Sequence, residues 1–155
     1  MINIQKWNNN KEIKKILNDS FNEATDMIKN KTLVISFNNN EEIMGIICLI
    51  SNENLVKFLS KTINFEEINN FYSIRATNGC YLYNLAVKKQ YRKNGLSKKL
   101  LNAALYVSNI LNFKYCHAHC ENKISELVFK KRGFIQEKVY KNKKNKDIKL
   151  VTIWI

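Results

Sequence analysis

Ile2 to Lys6 alternates apolar and polar side chains, the period of a short β-strand. Ile13, Ile16, Leu17, Phe21, Ala24, Met27 and Ile28 then recur at helical spacing. They predict a helix of about five turns with Asn10 as its N-cap. Thr32–Phe37 and Ile43–Ile50 read as two strands joined by Asn38-Asn39-Asn40, a turn composition. Between Ser51 and Gly79 the pattern weakens: Leu55, Val56, Leu59 and Ile63 suggest one helix, and Phe65, Ile68, Phe71 and Tyr72 a second. Tyr81–Val87 is a strongly apolar strand. Leu100, Leu101, Ala104, Leu105, Val107 and Leu111 mark an amphipathic helix, and Tyr115–Cys120 another short strand. Asn122 caps a helix through Lys131 that Gly133 ends. Phe134–Lys141 and Ile148–Ile155 read as a hairpin across a lysine-rich turn. Strands alternating with helices before a closing hairpin predict an α/β fold, a mixed sheet with helices on its faces. No repeat or linker interrupts residues 1–155, so one domain is expected.

The 155 residues are 45% apolar, enough for a core without disulfides or metal. No apolar run is long enough to span a membrane, and the first residues lack the order of a signal peptide. A cytoplasmic location is the expectation. Cys48, Cys80, Cys116 and Cys120 all fall in predicted strands, where they read as small core residues. Cys116-His117-Ala118-His119-Cys120 has the residue types of a metal site. Strand alternation, however, sends the cysteines to one face and the histidines to the other, so no metal is expected. The net charge of +13 comes with abundant Asn, Lys and Ile and no Pro. Much of the lysine excess fits compositional drift, so charge alone does not favour a nucleic-acid partner.

The position of the charge changes the picture. After Leu85-Ala86-Val87 the chain runs Lys88-Lys89-Gln90-Tyr91-Arg92-Lys93-Asn94-Gly95-Leu96-Ser97-Lys98-Lys99 and enters a helix near Gly95. Free N–H groups and the positive end of the dipole at a helix start accept a phosphate. Gly95 carries no side chain to block it. Lys88, Lys89, Arg92, Lys93, Lys98 and Lys99 surround the loop, which suits a polyanionic ligand.

Here the sequence resembles the Gcn5-related N-acetyltransferases (GNAT). Their signature, Arg/Gln-x-x-Gly-x-Gly/Ala, reads Arg92-Lys93-Asn94-Gly95-Leu96-Ser97, with Ser97 in place of the last Gly or Ala. The family's second motif is matched by Asn122 to Phe134, and the order of elements corresponds over essentially the whole chain. The resemblance implies a GNAT-like, mostly antiparallel sheet with helices on both faces. It also implies acetyl-coenzyme A as cosubstrate, with an amine, small molecule or protein, as acceptor. By the same resemblance the backbone of Leu85, Ala86 and Val87 binds the pantetheine arm, and the amides of Arg92, Lys93, Asn94, Gly95, Leu96 and Ser97 hold the pyrophosphate. Asn122 contacts the cofactor, and the Val87 N–H polarises the thioester carbonyl. The position usually held by a catalytic tyrosine is Phe129, a departure from the pattern. The wording Asn84-Leu85-Ala86-Val87 is similar to the branch that acetylates ribosomal-protein N-termini.

Other residues carry two readings. Tyr81 and Tyr83 share a strand face and either line the acceptor pocket or pack as core aromatics; Tyr83, near the strand's end, is the candidate for catalysis. His117 or His119 has the chemistry of a general base, against a packed role. Glu66 and Glu67 either attract an amine or are solvated. The Lys141–Lys149 turn is a solvated hairpin or a hold on an acidic partner such as RNA. The rival to the enzyme is therefore a coenzyme A-binding or RNA-binding module without turnover.

Overall fold

The computed structural model describes residues 1–8, 10–21, 31–72, 78–142 and 144–155. Among these lie seven strands: β1 (Ile2–Lys6), β2 (Leu33–Asn39), β3 (Glu42–Ser51), β4 (Gly79–Val87), β5 (Tyr115–Cys120), β6 (Ile135–Lys141) and β7 (Asp147–Trp154). Five α-helices accompany them: α1 (Lys11–Ser20), α2 (Asn52–Leu59), α3 (Phe65–Tyr72), α4 (Leu96–Ile110) and α5 (Lys123–Arg132). The strands form one sheet in the order β1-β2-β3-β4-β5-β7-β6. β1/β2, β2/β3, β5/β7 and β6/β7 pair antiparallel, and β4/β5 pair in parallel through Gly79–Tyr81 and Tyr115–His117. This is the mostly antiparallel α/β arrangement the sequence predicts. Packing divides the chain into two compact units, Met1–Ile50 with Leu82–Tyr106 and Ser51–Tyr81 with Val107–Ile155.

In the first unit, Trp7, Ile13, Ile16, Leu17, Val34, Ile43, Ile46, Cys48 and Ala86 form a buried cluster, with Phe21 and Tyr83 against it. Asn10 caps α1 as expected: its Oδ1 accepts from the N–H groups of Glu12 and Ile13 at 2.9 and 3.1 Å. The helix is shorter than predicted: it ends at Ser20, where Phe21 turns extended (φ −133°, ψ 133°), while Ala24, Met27 and Ile28 of the predicted helix lie outside the described residues. Gly45 lets three elements meet. A Cβ there would stand 3.0 Å from the Ala86 carbonyl oxygen and 3.1 Å from Leu100 Cδ1. Asn84, inside β4, takes a left-handed φ of 53°. Asn tolerates that region better than most residues, and it interrupts the regular alternation of the strand.

In the second unit the weakly patterned segment forms two eight-residue helices. Ser51 caps α2 by accepting from the Asn54 N–H at 3.2 Å. That helix stops at Leu59, so Ile63, which the spacing assigned to it, sits in the following turn. Asn122 caps α5 by accepting from the Ser125 N–H at 2.9 Å, and Gly133 ends it with φ 109°. On α5, Glu126 is 6% exposed and bonded by Lys130 at 2.6 Å and Lys149 at 2.7 Å. Those ammonium groups hold its carboxyl down at about 2. Lys149 is thus tied to α5, while Lys141 pairs with Asp147 at 2.7 Å across the hairpin; Lys143 lies outside the described residues. All four cysteines are buried and free.

Candidate functional site

β4, the loop after it and the start of α4 all belong to the first unit. The strand ends at Val87. Lys88 donates its N–H to the Met44 carbonyl at 2.9 Å, so strand alternation turns the Val87 N–H and C=O to the other edge. There the Arg92 Nε donates to the Val87 carbonyl at 3.0 Å, folding the loop back on the strand. A short 3₁₀ turn over Lys89–Tyr91 follows, then two left-handed residues, Lys93 (φ 67°) and Gly95 (φ 74°). α4 begins immediately afterwards.

The backbone N–H groups of Lys93, Asn94, Gly95, Leu96, Ser97 and Lys98 make no hydrogen bond among the described residues. Lys99 is the first to donate back, to the Gly95 carbonyl at 3.2 Å. A Cβ built on Gly95 would meet nothing within 4 Å, so the space in front of these donors is open. Uncapped donors, the positive helix end and a glycine facing open space make a cradle for a phosphate group. The residues present therefore fit the pyrophosphate of coenzyme A.

The charges around this cradle differ from the sequence reading. Lys88 is engaged by Glu12 at 3.0 Å and Glu42 at 3.2 Å, and Glu42 also accepts from the Tyr91 hydroxyl at 2.6 Å. Burial works to lower the Lys88 pKa, but the two carboxylates outweigh it and the net direction is up. Lys99 stands over the Phe37 ring, 5.4 Å from its centroid. Lys89, Lys93 and Lys98 make no ion pair among the described residues. Lys88 and its carboxylates brace the loop, while Lys93 and Lys98, exposed beside the free donors, supply the cationic field. Charge reversal at both (Lys93→Glu, Lys98→Glu) is expected to weaken acetyl-coenzyme A binding at least about tenfold and flatten its salt dependence. Lys144→Glu should leave the affinity measured by calorimetry within about twofold.

The remaining candidates are placed as follows. Tyr83 is largely buried against the core, and its hydroxyl is hydrogen-bonded to Thr32. Burial pushes its pKa well above the usual tyrosine range. Leu85 is half-buried, and Ala86 and Val87 are buried. In the second unit, Asn122 engages its Oδ1 in capping α5. Phe129 is buried on α5, edge-on to Phe134 with centroids 4.9 Å apart. His117 is bonded through Nε2 to Asn52 Oδ1 at 2.6 Å, and Asn52 in turn donates to the Tyr115 hydroxyl at 2.8 Å. His119 lies between the Phe71 carbonyl (2.6 Å) and the Tyr81 hydroxyl (3.2 Å). Since a carbonyl only accepts, Nε2 of His119 carries the proton and Nδ1 accepts from Tyr81. Burial lowers His117 to about 3 and His119 to about 4. Both rings are neutral near pH 7. Among the described residues no group of three or more His, Cys, Asp or Glu is placed to hold a metal. No helix there is long and apolar enough to cross a membrane.

The model of the Acetyltransferase (GNAT) family matches residues 3–134. The chain belongs to this family. No curated protein matches its sequence. Solved GNAT structures share the fold at low identity. An IAA acetyltransferase from Bacillus cereus ATCC 14579 superposes with a TM-score of 0.74 at 13% identity, covering 100% of this chain and 99% of that one. A ribosomal-protein-alanine N-acetyltransferase from Brucella melitensis gives 0.72 at 12%, covering 100% and 99%. An aminoglycoside 6'-N-acetyltransferase complexed with coenzyme A gives 0.70 at 13%, covering 99% and 96%.

Proposed function

We propose that residues 1–155 act as one N-acetyltransferase domain that uses acetyl-coenzyme A and passes the acetyl group directly to an amine. The observation that carries this reading is the set of free N–H donors from Lys93 to Lys98 around Gly95. In it the pyrophosphate sits on those donors and the pantetheine arm lies along the backbone of Leu85, Ala86 and Val87. Asn122 keeps its proposed role as a cofactor contact through Nδ2, since its Oδ1 is engaged in the helix cap.

The cosubstrate supplies an activated acyl carbon. The acceptor nitrogen, once its ammonium proton has gone to solvent, attacks that carbon. A C–N bond forms and the C–S bond breaks, giving the amide, free coenzyme A thiol and one released proton. The N–H of Val87, turned off the β3 side of its strand, donates to the carbonyl oxygen as negative charge develops there. Phe129 cannot give a proton to the departing sulfur. A thiol of pKa about 8.5 leaves tolerably without one. A missing general acid costs about 10²–10⁴-fold in rate, so the enzyme is expected to be slow but real. Tyr83 has its hydroxyl bonded to Thr32, so water is the simplest proton source.

Thermal shift with acetyl-coenzyme A, followed by thiol release against a panel of amines, tests this. Stabilisation with slow, amine-dependent release is the expected result. Stabilisation without release on any amine, and with none gained by Phe129→Tyr, would replace the enzyme with a coenzyme A-binding module. Salt-sensitive RNA binding without any cofactor response would point to a nucleic-acid module instead.

A further inference from the structure

The second unit holds a groove that none of the preceding chemistry uses. It has a volume of about 550 Å³ and is lined by Ile63, Glu67, Asn70, Phe71, Tyr72 and Tyr140. That volume suits a small molecule. Glu67 and Phe71 are four residues apart on α3, so they share one helix face. The Phe71 ring is 5.2 Å from Tyr72 and 5.0 Å from Tyr140, and 4.5 Å from the His119 ring. His119 also holds the Phe71 carbonyl, so the aromatic wall is fixed to β5.

Two polar features stand out against this wall. Glu67 makes no ion pair among the described residues, in a chain with 26 Lys and Arg against 13 Asp and Glu. A carboxylate with no ion pair among the described residues, in a chain so rich in cations, is available to an external one. The Tyr140 hydroxyl oxygen is fully buried with no hydrogen-bond partner. A buried hydroxyl without a partner costs free energy that a polar ligand atom would restore.

We infer that this groove binds a small primary amine carried on an aromatic or branched apolar body. Its ammonium pairs with Glu67, its apolar part rests against Phe71, Tyr72 and Tyr140, and the aromatic faces add cation–π attraction. A polycation such as an aminoglycoside or polyamine fits poorly: a single carboxylate serves a mainly carbon-lined groove. This names the acceptor class for the proposed transferase and rests on that reading.

The probes are 2-phenylethylamine, its uncharged analogue 2-phenylethanol, and spermine. Binding is followed by saturation-transfer NMR, with thiol release measured alongside. 2-Phenylethylamine should bind and be acetylated, 2-phenylethanol should bind at least tenfold more weakly, and spermine should not displace the amine. Glu67→Gln, at an exposed position, should weaken 2-phenylethylamine at least tenfold while the acetyl-coenzyme A affinity stays the same. Tyr140→Phe should weaken it a few-fold. Unchanged binding in Glu67→Gln, or displacement by spermine, would overturn the groove assignment. If 2-phenylethylamine binds through Glu67 but acetyl-coenzyme A gives no thermal shift, the groove stands as an amine site and the transferase reading fails.

Discussion

Gly95→Asp is expected to weaken acetyl-coenzyme A binding by at least about tenfold, equivalent to about 1.4 kcal/mol, in a protein that still folds. Three effects act in the same direction. At φ 74° the backbone lies in the left-handed region that glycine adopts most freely, and a side chain there costs up to roughly 1–2 kcal/mol, less for Asp than for Ala. The new Cβ would enter the open space in front of the free donors, where the phosphate is proposed to sit. The carboxylate would then be drawn to the same N–H groups and positive helix end, competing with the ligand from within. That attraction offsets part of the strain, so stability should fall less than affinity. Gly95→Ala separates the contributions: it keeps the strain and adds one methyl but no charge, and should weaken binding only a few-fold. Calorimetric titration of both variants, with circular dichroism to check folding, makes the comparison. A folded Gly95→Asp with unchanged affinity would remove the phosphate cradle from the start of α4.

The elements that the sequence made legible are those whose signals are local. Asn10 and Asn122 cap their helices with their own side chains, and Gly133 ends α5 in the left-handed conformation glycine favours. The predicted strand Tyr115–Cys120 agrees with β5 because its residues alternate between the Cys80–Ser108 side and the Asn52 side. The strand, glycine and helix start around Gly95 were legible too, since they follow one another within a few residues. What stayed hidden depends on distant partners. Lys88 reads as one of six loop cations, yet Glu12 lies 76 positions earlier and Glu42 46, and they engage it. α2 and α3 are each eight residues long, too short for a helical period to stand out, so the end of α2 was misplaced past Leu59. The left-handed Asn84 sits inside an apolar run with nothing beside it to announce a break. The groove draws Tyr140 from β6 to face α3, a meeting only the fold creates.

The two histidines should make the protein lose stability as the pH falls below about 6.5. In the unfolded chain each imidazole titrates near 6.5. In the folded chain burial lowers His117 to about 3 and His119 to about 4. Between pH 6.5 and 4 the unfolded state therefore binds protons that the native state refuses. Stability rises with pH wherever the unfolded state binds more protons, so the histidine contribution is complete above pH 6.5 and is lost on acidification. Each ring removes up to about 1.4 kcal/mol per pH unit, and the pair up to about 2.7, which over the window amounts to several kcal/mol. That is a large share of the about 5–15 kcal/mol of a typical domain. The geometry explains why the protons are refused. His117 is 0% exposed, and its unpartnered Nδ1 would gain a buried charge with nothing to receive it. His119 already donates to the Phe71 carbonyl and packs against the Phe71, Tyr72 and Tyr81 rings, so protonation would place a charge in a buried, largely apolar setting. Carboxylates do not confuse the upper part of the window, since Glu126 titrates near 2 in the folded state and ordinary carboxyls begin only below about 5. Urea unfolding at pH 7.5, 6.5, 5.5 and 5.0 gives the slope. These are the chain's only histidines, so NMR of their Cε1–H signals reads each native pKa directly. Flat stability between pH 7 and 5, or native signals titrating near 6.5, would show that the rings reach solvent and that the Asn52 and Phe71 bonds do not hold them neutral.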